Sequence, residues 1–219
     1  MFVDYDDVCR TGHRAFGPLD GSGPPADVDP VVLADLVARR RGSRLDPAMV
    51  RVYRAVPDGR VDEPAFSAAL WQIDGWSRAG AVVVRRSLRD GQPAARQPGA
   101  AAPERGLKGL AVALAVDLAV MAWRDQYDLA MVCSSDQDLR PAIAAVLALT
   151  WKGVDVVAWR HPRRPATRLW VPGEDVVCHW LDHGDYERTL HSGVGEGGAV
   201  NPAGGYGATS GNGCQTFPR

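Results

Sequence analysis

The stretch "GLAVALAVDLAVMAWRDQYDLAMVCSSDQDLRPAIAAVLALTWKGVDVVAW" (residues 109–159) decides the fold. Its first part, up to Trp123, is one apolar helix with a single carboxylate, Asp117, in its middle. "YDLAMVCSS" (127–135) reads as a buried strand. "DLRPAIAAVLALTWKG" (138–153) reads as a helix closed by glycine, with Pro141 in the first turn, where a missing N–H is harmless. "VDVVAWR" (154–160) is a further buried strand. Helices alternating with apolar strands predict a parallel sheet with crossover helices on both faces.

Asp117 raises a question of cost. The residues one turn away are Ala113, Leu114, Val120 and Met121, and none pairs with a carboxylate. Helix-surface neighbours lie three and four residues apart, so a partner must come from elsewhere in the fold. Without one, a carboxylate taken out of water is destabilising or becomes neutral. The plainer reading is a residue at the rim of the apolar stripe that reaches water.

The same alternation continues outward. "MFV" is a short strand entered at once, and residues 11–30, with "GPLDGSGPP", read as a loop. Asp29 and Pro30 read as N-cap and first helical residue of "VVLADLVARRR". "MVRVYRAV" (49–56) is strand-like by its β-branched content. A helix over 63–80, a strand "AVVVRRSL" and a Pro/Ala/Gly loop over 90–106 follow. "RLWVPGEDVVCHWLDH" (168–183) reads as a short strand and a last helix. The expectation is a three-layer α/β/α domain with a mainly parallel central sheet over residues 1–190. A Gly/Ser-rich tail, read as disordered, occupies 191–219.

A chain of 219 residues, 46% apolar and 23% charged, is ordinary for one soluble α/β domain. A formal charge of −1 gives no hint of a polyanionic partner, but arginine outnumbers lysine 23 to 2. Its runs "RRRGSR" (39–44), "VRRSLR" (84–89) and "RHPRRPATR" (160–168) read either as solvated loops or as phosphate contacts flanking a site. Cys9, Cys133, Cys178 and Cys214 form no CxxC pair, which suggests reduced thiols and a cytoplasmic location. The start "MFVDYDD" is acidic where a signal peptide would be basic. Asp117 interrupts the longest apolar run, so no membrane span is expected.

The acids follow strand ends. Asp4 closes the first strand, with Asp6 and Asp7 just after it, and Asp136 and Asp138 follow "LAMVCSS". Parallel strands deliver both groups to one edge of the sheet, where α/β proteins build their sites. Asp117, in the helix entering the second of these strands, is expected to point to that edge as well. Such carboxylates repel and raise each other's pKa unless a cation neutralises them. Oxygen-only ligands suit Mg²⁺ or Mn²⁺, which polarise a phosphoryl oxygen and activate a bound water. Lys108, near the start of the same helix, is a candidate phosphate contact, and Ser134 a phosphate or orienting contact. The plainer reading of "SSDQD" is a turn in which Asp138 caps the next helix.

"FVDYDDV", "KGLAVALAVDLAVMAWRDQYDLAMVCSSDQDLRPAI" and "WKGVDVVAW" together resemble the NYN domain family, PIN-like ribonucleases that include the LabA-like proteins. The resemblance spans roughly residues 1–183. Its specific part is the ordered set Lys108, Gly109, Asp117, Tyr127, Asp128, Ser134, Asp136 and Asp138. It implies a PIN-like fold and Mg²⁺- or Mn²⁺-dependent cleavage of RNA. Asp4, Asp117 and Asp136 would bind the metal with Asp138 assisting, and Asp7, Lys108 and Ser134 would serve the substrate. RNA is the implied partner, and a homodimer stays open. The chain departs from the family at Asp7, commonly asparagine, and at Ala111, often aspartate.

Two rivals belong to other classes. One is a catalytically silent NYN module that binds RNA or a protein. The other is a haloacid-dehalogenase-like phosphatase with Asp4 as nucleophile and Asp6 as acid, although that family's threonine motif is not evident here. His179 and His183, beside Cys178 and Asp182, have the i, i+4 spacing of a zinc site but also suit a polar helix end. Trp71, Trp76 and Trp123 read as packing or as base-stacking platforms.

Overall fold

Phe2 and Val3 point to opposite faces of the first strand, and each anchors a different core. The computed structural model describes residues 1–42, 46–87 and 108–190. The expectations for the 90–106 loop, the 191–219 tail and Cys214 lie outside these residues. Six strands form one all-parallel sheet: β1 (Phe2–Asp4), β2 (Arg51–Val56), β3 (Val82–Ser87), β4 (Leu129–Cys133), β5 (Gly153–Trp159) and β6 (Cys178–Leu181). Their spatial order is β3-β2-β1-β4-β5-β6. The first three strands are laid down in one direction and the last three in the other. The reversal falls between β1 and β4.

Among the described residues, six helices cover the sheet: α1 (Tyr5–Phe16), α2 (Pro30–Arg40), α3 (Glu63–Arg78), α4 (Lys108–Trp123), α5 (Arg140–Leu149) and α6 (His183–Thr189). One core holds Val3, Val8, Leu33, Ile73 and Tyr186 from β1, α1, α2, α3 and α6. The other holds Phe2, Leu114, Leu118, Ile143 and Val146 from β1, α4 and α5. The result is the expected three-layer α/β/α architecture. Strands buried on both faces explain why β4 and β5 read as continuous apolar runs.

Helix starts follow their caps. Asp29 accepts hydrogen bonds from Val31 N (2.8 Å) and Val32 N (3.0 Å), with Pro30 first in the helix, as expected. Asp62 and Asp182 cap α3 and α6 in the same way.

The structure departs from the expectation at three places. Residues 11–16 belong to α1 rather than to a loop, because Asp4 caps a helix that starts at Tyr5 and the Gly/Pro-rich breakers begin only at Gly17. Gly12 is tolerated there by close packing: a Cβ at this position would lie 2.6 Å from the Tyr186 ring. Strand β6 covers Cys178–Leu181, so the last helix begins later than expected, at His183. Helix α5 starts at Arg140 with no side-chain cap, and Thr150 rather than Gly153 closes it. Asp136 instead caps the 3-10 turn Gln137–Leu139, and Asp138 lies within that turn.

Candidate functional site

The register sets the geometry. Val3 of β1 pairs with Cys133 of β4, so Asp4 and Ser134 leave the sheet side by side. Ser134 Oγ donates to Asp4 Oδ2 at 3.0 Å and accepts from Asp136 N at 3.1 Å. One hydroxyl thus joins the acid of β1 to the acid turn after β4. The turn is closed by Asp138 N donating to Asp136 Oδ1 at 2.9 Å.

Asp7, on the first turn of α1, is buried and ties the two halves together. Its carboxylate accepts from Ser135 N at 2.6 Å and Ser135 Oγ at 3.0 Å, and pairs with Arg10. A carboxylate taking two such donors, one on each oxygen, acts as a strut. Asp6 turns the other way, its Oδ2 accepting from Ala55 N on β2 at 2.9 Å.

The electrostatics are those of a crowded acid edge. Burial pushes the Asp4 carboxyl up to about 7; the Asp7 charge adds to the rise, and the Ser134 hydrogen bond opposes it. Burial also raises Asp6, against the Ala55 N–H and the Arg54 charge.

Asp4, Asp7, Ser134, Asp136 and Asp138 are therefore brought to one edge, as expected. Asp117 is not joined to them. Its Oδ2 accepts from Tyr53 Oη at 2.7 Å and from Arg51 Nη2 at 3.1 Å. Arg51 opens β2, level with Phe2 rather than with the strand ends. Helix α4 returns toward the start of β4, and Asp117, six residues before its end, is held from β2 by Arg51 and by Tyr53, the register partner of Asp4. A guanidinium and a phenol on β2 are the partners that its own helix lacked. Lys108 opens α4. Among the described residues, no group of three or more His, Cys, Asp or Glu side chains is placed to hold a metal ion.

A polar and aromatic wall stands beside the turn. Gln137 Nε2 donates to Ser135 O (2.9 Å) and to Arg168 O (3.1 Å), docking the chain after β5 against the site. The Arg140 guanidinium lies 4.1 Å from the centroid of Trp170, a half-exposed ring. Sequence reading missed Ser135, Gln137, Arg140 and Trp170. The first three sit within or next to "SSDQD" and were findable as turn residues. Trp170 carries no local signal, because only the fold brings it to Arg140.

The other candidates are engaged elsewhere. His179, on β6, faces Asp155 at 2.7 Å, and Asp155 also pairs with Arg41. His183 is on α6 and Asp182 caps that helix, so the i, i+4 helical spacing does not exist. Arg40 pairs with buried Asp185, and Arg164 donates to the carbonyls of Arg14 and Gly17. Much of the arginine in two runs is thus structural. Trp76 is buried beside Tyr5, whereas Trp71 and Trp123 are exposed on helices.

The fold and the site define an α/β/α protein with a doubly wound parallel sheet and an acidic switch point. No protein-family model matches the chain, and no curated protein does. Among solved structures the chain is similar to a protein of unknown function from Vibrio parahaemolyticus RIMD 2210633, at 16% identity and a TM-score of 0.45, over 71% of this chain and 77% of that one. No helix of the described residues is long and apolar enough to cross a membrane.

Proposed function

We propose that the chain is a divalent-ion-dependent ribonuclease that hydrolyses RNA phosphodiesters at the Asp4–Asp136 edge. The observation that carries the reading is the meeting of these acids through Ser134 at the switch point, with Asp4 raised to about 7. Two carboxylates and a neighbouring acid are a donor set of hard oxygens. Such a set fits Mg²⁺ or Mn²⁺ taken up with waters and substrate phosphate rather than in a complete protein cage. The bound ion would supply Lewis acidity and a water of lowered pKa.

The chain's own groups have separate tasks in this reading. Asp4 and Asp136 hold the ion, and exposed Asp138 assists. Ser134 fixes the Asp4 carboxylate, and Asp7 holds the Ser135 turn in place. Lys108, and Arg140 stacked on Trp170, receive the RNA backbone. Asp117 is a structural residue of the α4–β2 contact, not a ligand.

The test is cleavage of structured and unstructured RNA with Mn²⁺, Mg²⁺ or chelator. Metal-dependent cleavage that is lost in Asp4→Asn and Asp136→Asn but kept in Asp117→Asn supports the reading. Cleavage that survives both of the first two variants overturns it.

A silent binding module is the second reading. It is favoured by the lack, among the described residues, of a three-acid metal group. RNA bound at the same affinity with ion or chelator, and never cut, would select it.

A further inference from the structure

We infer that α4 is a dimer seam: two copies of the chain pack their α4 helices antiparallel, crossing at Val116. The inference is independent of the nuclease reading. A helix that is apolar all round is normally buried all round, and between Gly109 and Trp123 the single charged residue of α4, Asp117, turns to Arg51 and Tyr53 on β2. Leu110, Leu114 and Leu118 face the core. The opposite side shows Val112, Val116, Val120 and Trp123, exposed by 63%, 53%, 40% and 78%.

The spacing of the exposed stripe points to a helix as its occupant. Gly109, Val112, Val116, Val120 and Trp123 recur at steps of three and four, the straight seam used in helix–helix packing. The stripe is also self-complementary about Val116. In an antiparallel pair, Val112 meets Val120 of the second copy and Trp123 meets Gly109. Among the described residues, a Cβ built on Gly109 meets nothing within 4 Å, so the glycine leaves room for the indole. A surface patch that matches itself under two-fold rotation is what an isologous dimer requires.

Size and charge agree. Trp123 offers on the order of 200 Å² of apolar surface. With the valines and exposed Leu149, which lines the same groove as Val120 and Trp123, two copies together would bury on the order of 1,000 Å², the size a specific interface must clear. The chain's net charge of −1 opposes association only weakly. Lys152, at the same end of the molecule, is neutralised by Asp125 and Asp128, which leaves a satisfied polar border. Asp138 borders the stripe beside Val112 and Val116, so the seam runs along the flank of the acidic edge.

Sedimentation equilibrium of the full chain tests this. The expected mass is twice 23.5 kDa at micromolar concentration. Val116→Glu buries two facing carboxylates at the crossing and weakens the dimer by roughly 100-fold or more. Trp123→Ser, away from the crossing, weakens it as well. Circular dichroism and thermal melting show whether each variant keeps the fold, and Val112→Glu replaces any that does not. A native chain that stays monomeric up to about 100 µM, far above the Kd of a standard interface, overturns the inference. A folded Val116→Glu chain that remains fully dimeric also overturns it, because the pair then forms through another face.

Discussion

Asp4 carries the largest electrostatic strain of the candidate site, and that makes it testable without any substrate. Its folded pKa of about 7 stands above its ordinary value of 3.8. The folded state therefore binds the proton more tightly than the unfolded chain does. The stability this contributes is full below about pH 4 and lost as pH rises through about 7. Asp4→Asn keeps the cap of α1 and removes the charge. In metal-free buffer it should match the native chain in melting temperature at pH 4 and exceed it at pH 8. Equal melting at pH 8 would mean that Asp4 is not strained. Asp117 behaves differently, because Arg51 and Tyr53 satisfy it. Asp117→Ala leaves the Tyr53 hydroxyl and Arg51 Nη2 without this acceptor and should cost about 1–2 kcal/mol, read by urea denaturation. On the proposed nuclease reading, RNA cleavage should fall only as far as the folded fraction does. That Asp117 needed an outside partner was legible in its apolar neighbours. Which partner it takes was not, since Arg51 and Tyr53 lie more than sixty residues away in the chain.

At the scale of elements, apolar runs and caps carried most of the information. Strands β1 to β5 and helices α2 to α5 announce themselves through β-branched runs, through Asp29–Pro30, or through helical apolar spacing. Helix α1 did not, because its sequence "YDDVCRTGHRAF" mixes polar residues with a glycine, and what stabilises it is tertiary. Gly12 shows the mechanism. Glycine is a poor helix former, and alanine there would favour the helix by about 1 kcal/mol. Against that, the added Cβ would sit 2.6 Å from Tyr186 and 3.2 Å from Trp159 Nε1, inside a packed core. Overpacking of this kind costs about 1–3 kcal/mol, and Tyr186 is a buried ring with little room to withdraw. Gly12→Ala should therefore destabilise by a net of up to ~2 kcal/mol and lower the melting temperature by up to about 8 °C. A rise in melting temperature would show that α1 and α6 can separate at no cost. The same tertiary logic explains the misplaced last helix: β6 is short and half-buried, and its pairing with β5 decides its conformation.

At the scale of the whole molecule, alternation of strand and helix made the parallel sheet legible, but strand order was not. No local signal states that β4 inserts beside β1. The convergence of Asp4 with Asp136 depended on that insertion, whereas the loss of Asp117 from the group depended on the direction in which α4 crosses back. The order also fixes how an ion would couple to global stability. An ion bound between the β1 and β4 ends exists only in the folded chain, so it stabilises by mass action, about 2.7 kcal/mol at one hundred times its Kd. For a chain of this size that is roughly 5–10 °C in melting temperature. It must displace the proton held by Asp4, whose pKa is about 7. Between pH 8 and pH 6 its apparent affinity should then fall roughly tenfold, removing about 1.4 kcal/mol of the gain. Mn²⁺ should thus raise the melting temperature more at pH 8 than at pH 6, and neither rise should persist in Asp4→Asn or Asp136→Asn. The same rise at both pH values, or in both variants, would place the ion away from the switch point and leave the acidic edge without a metal.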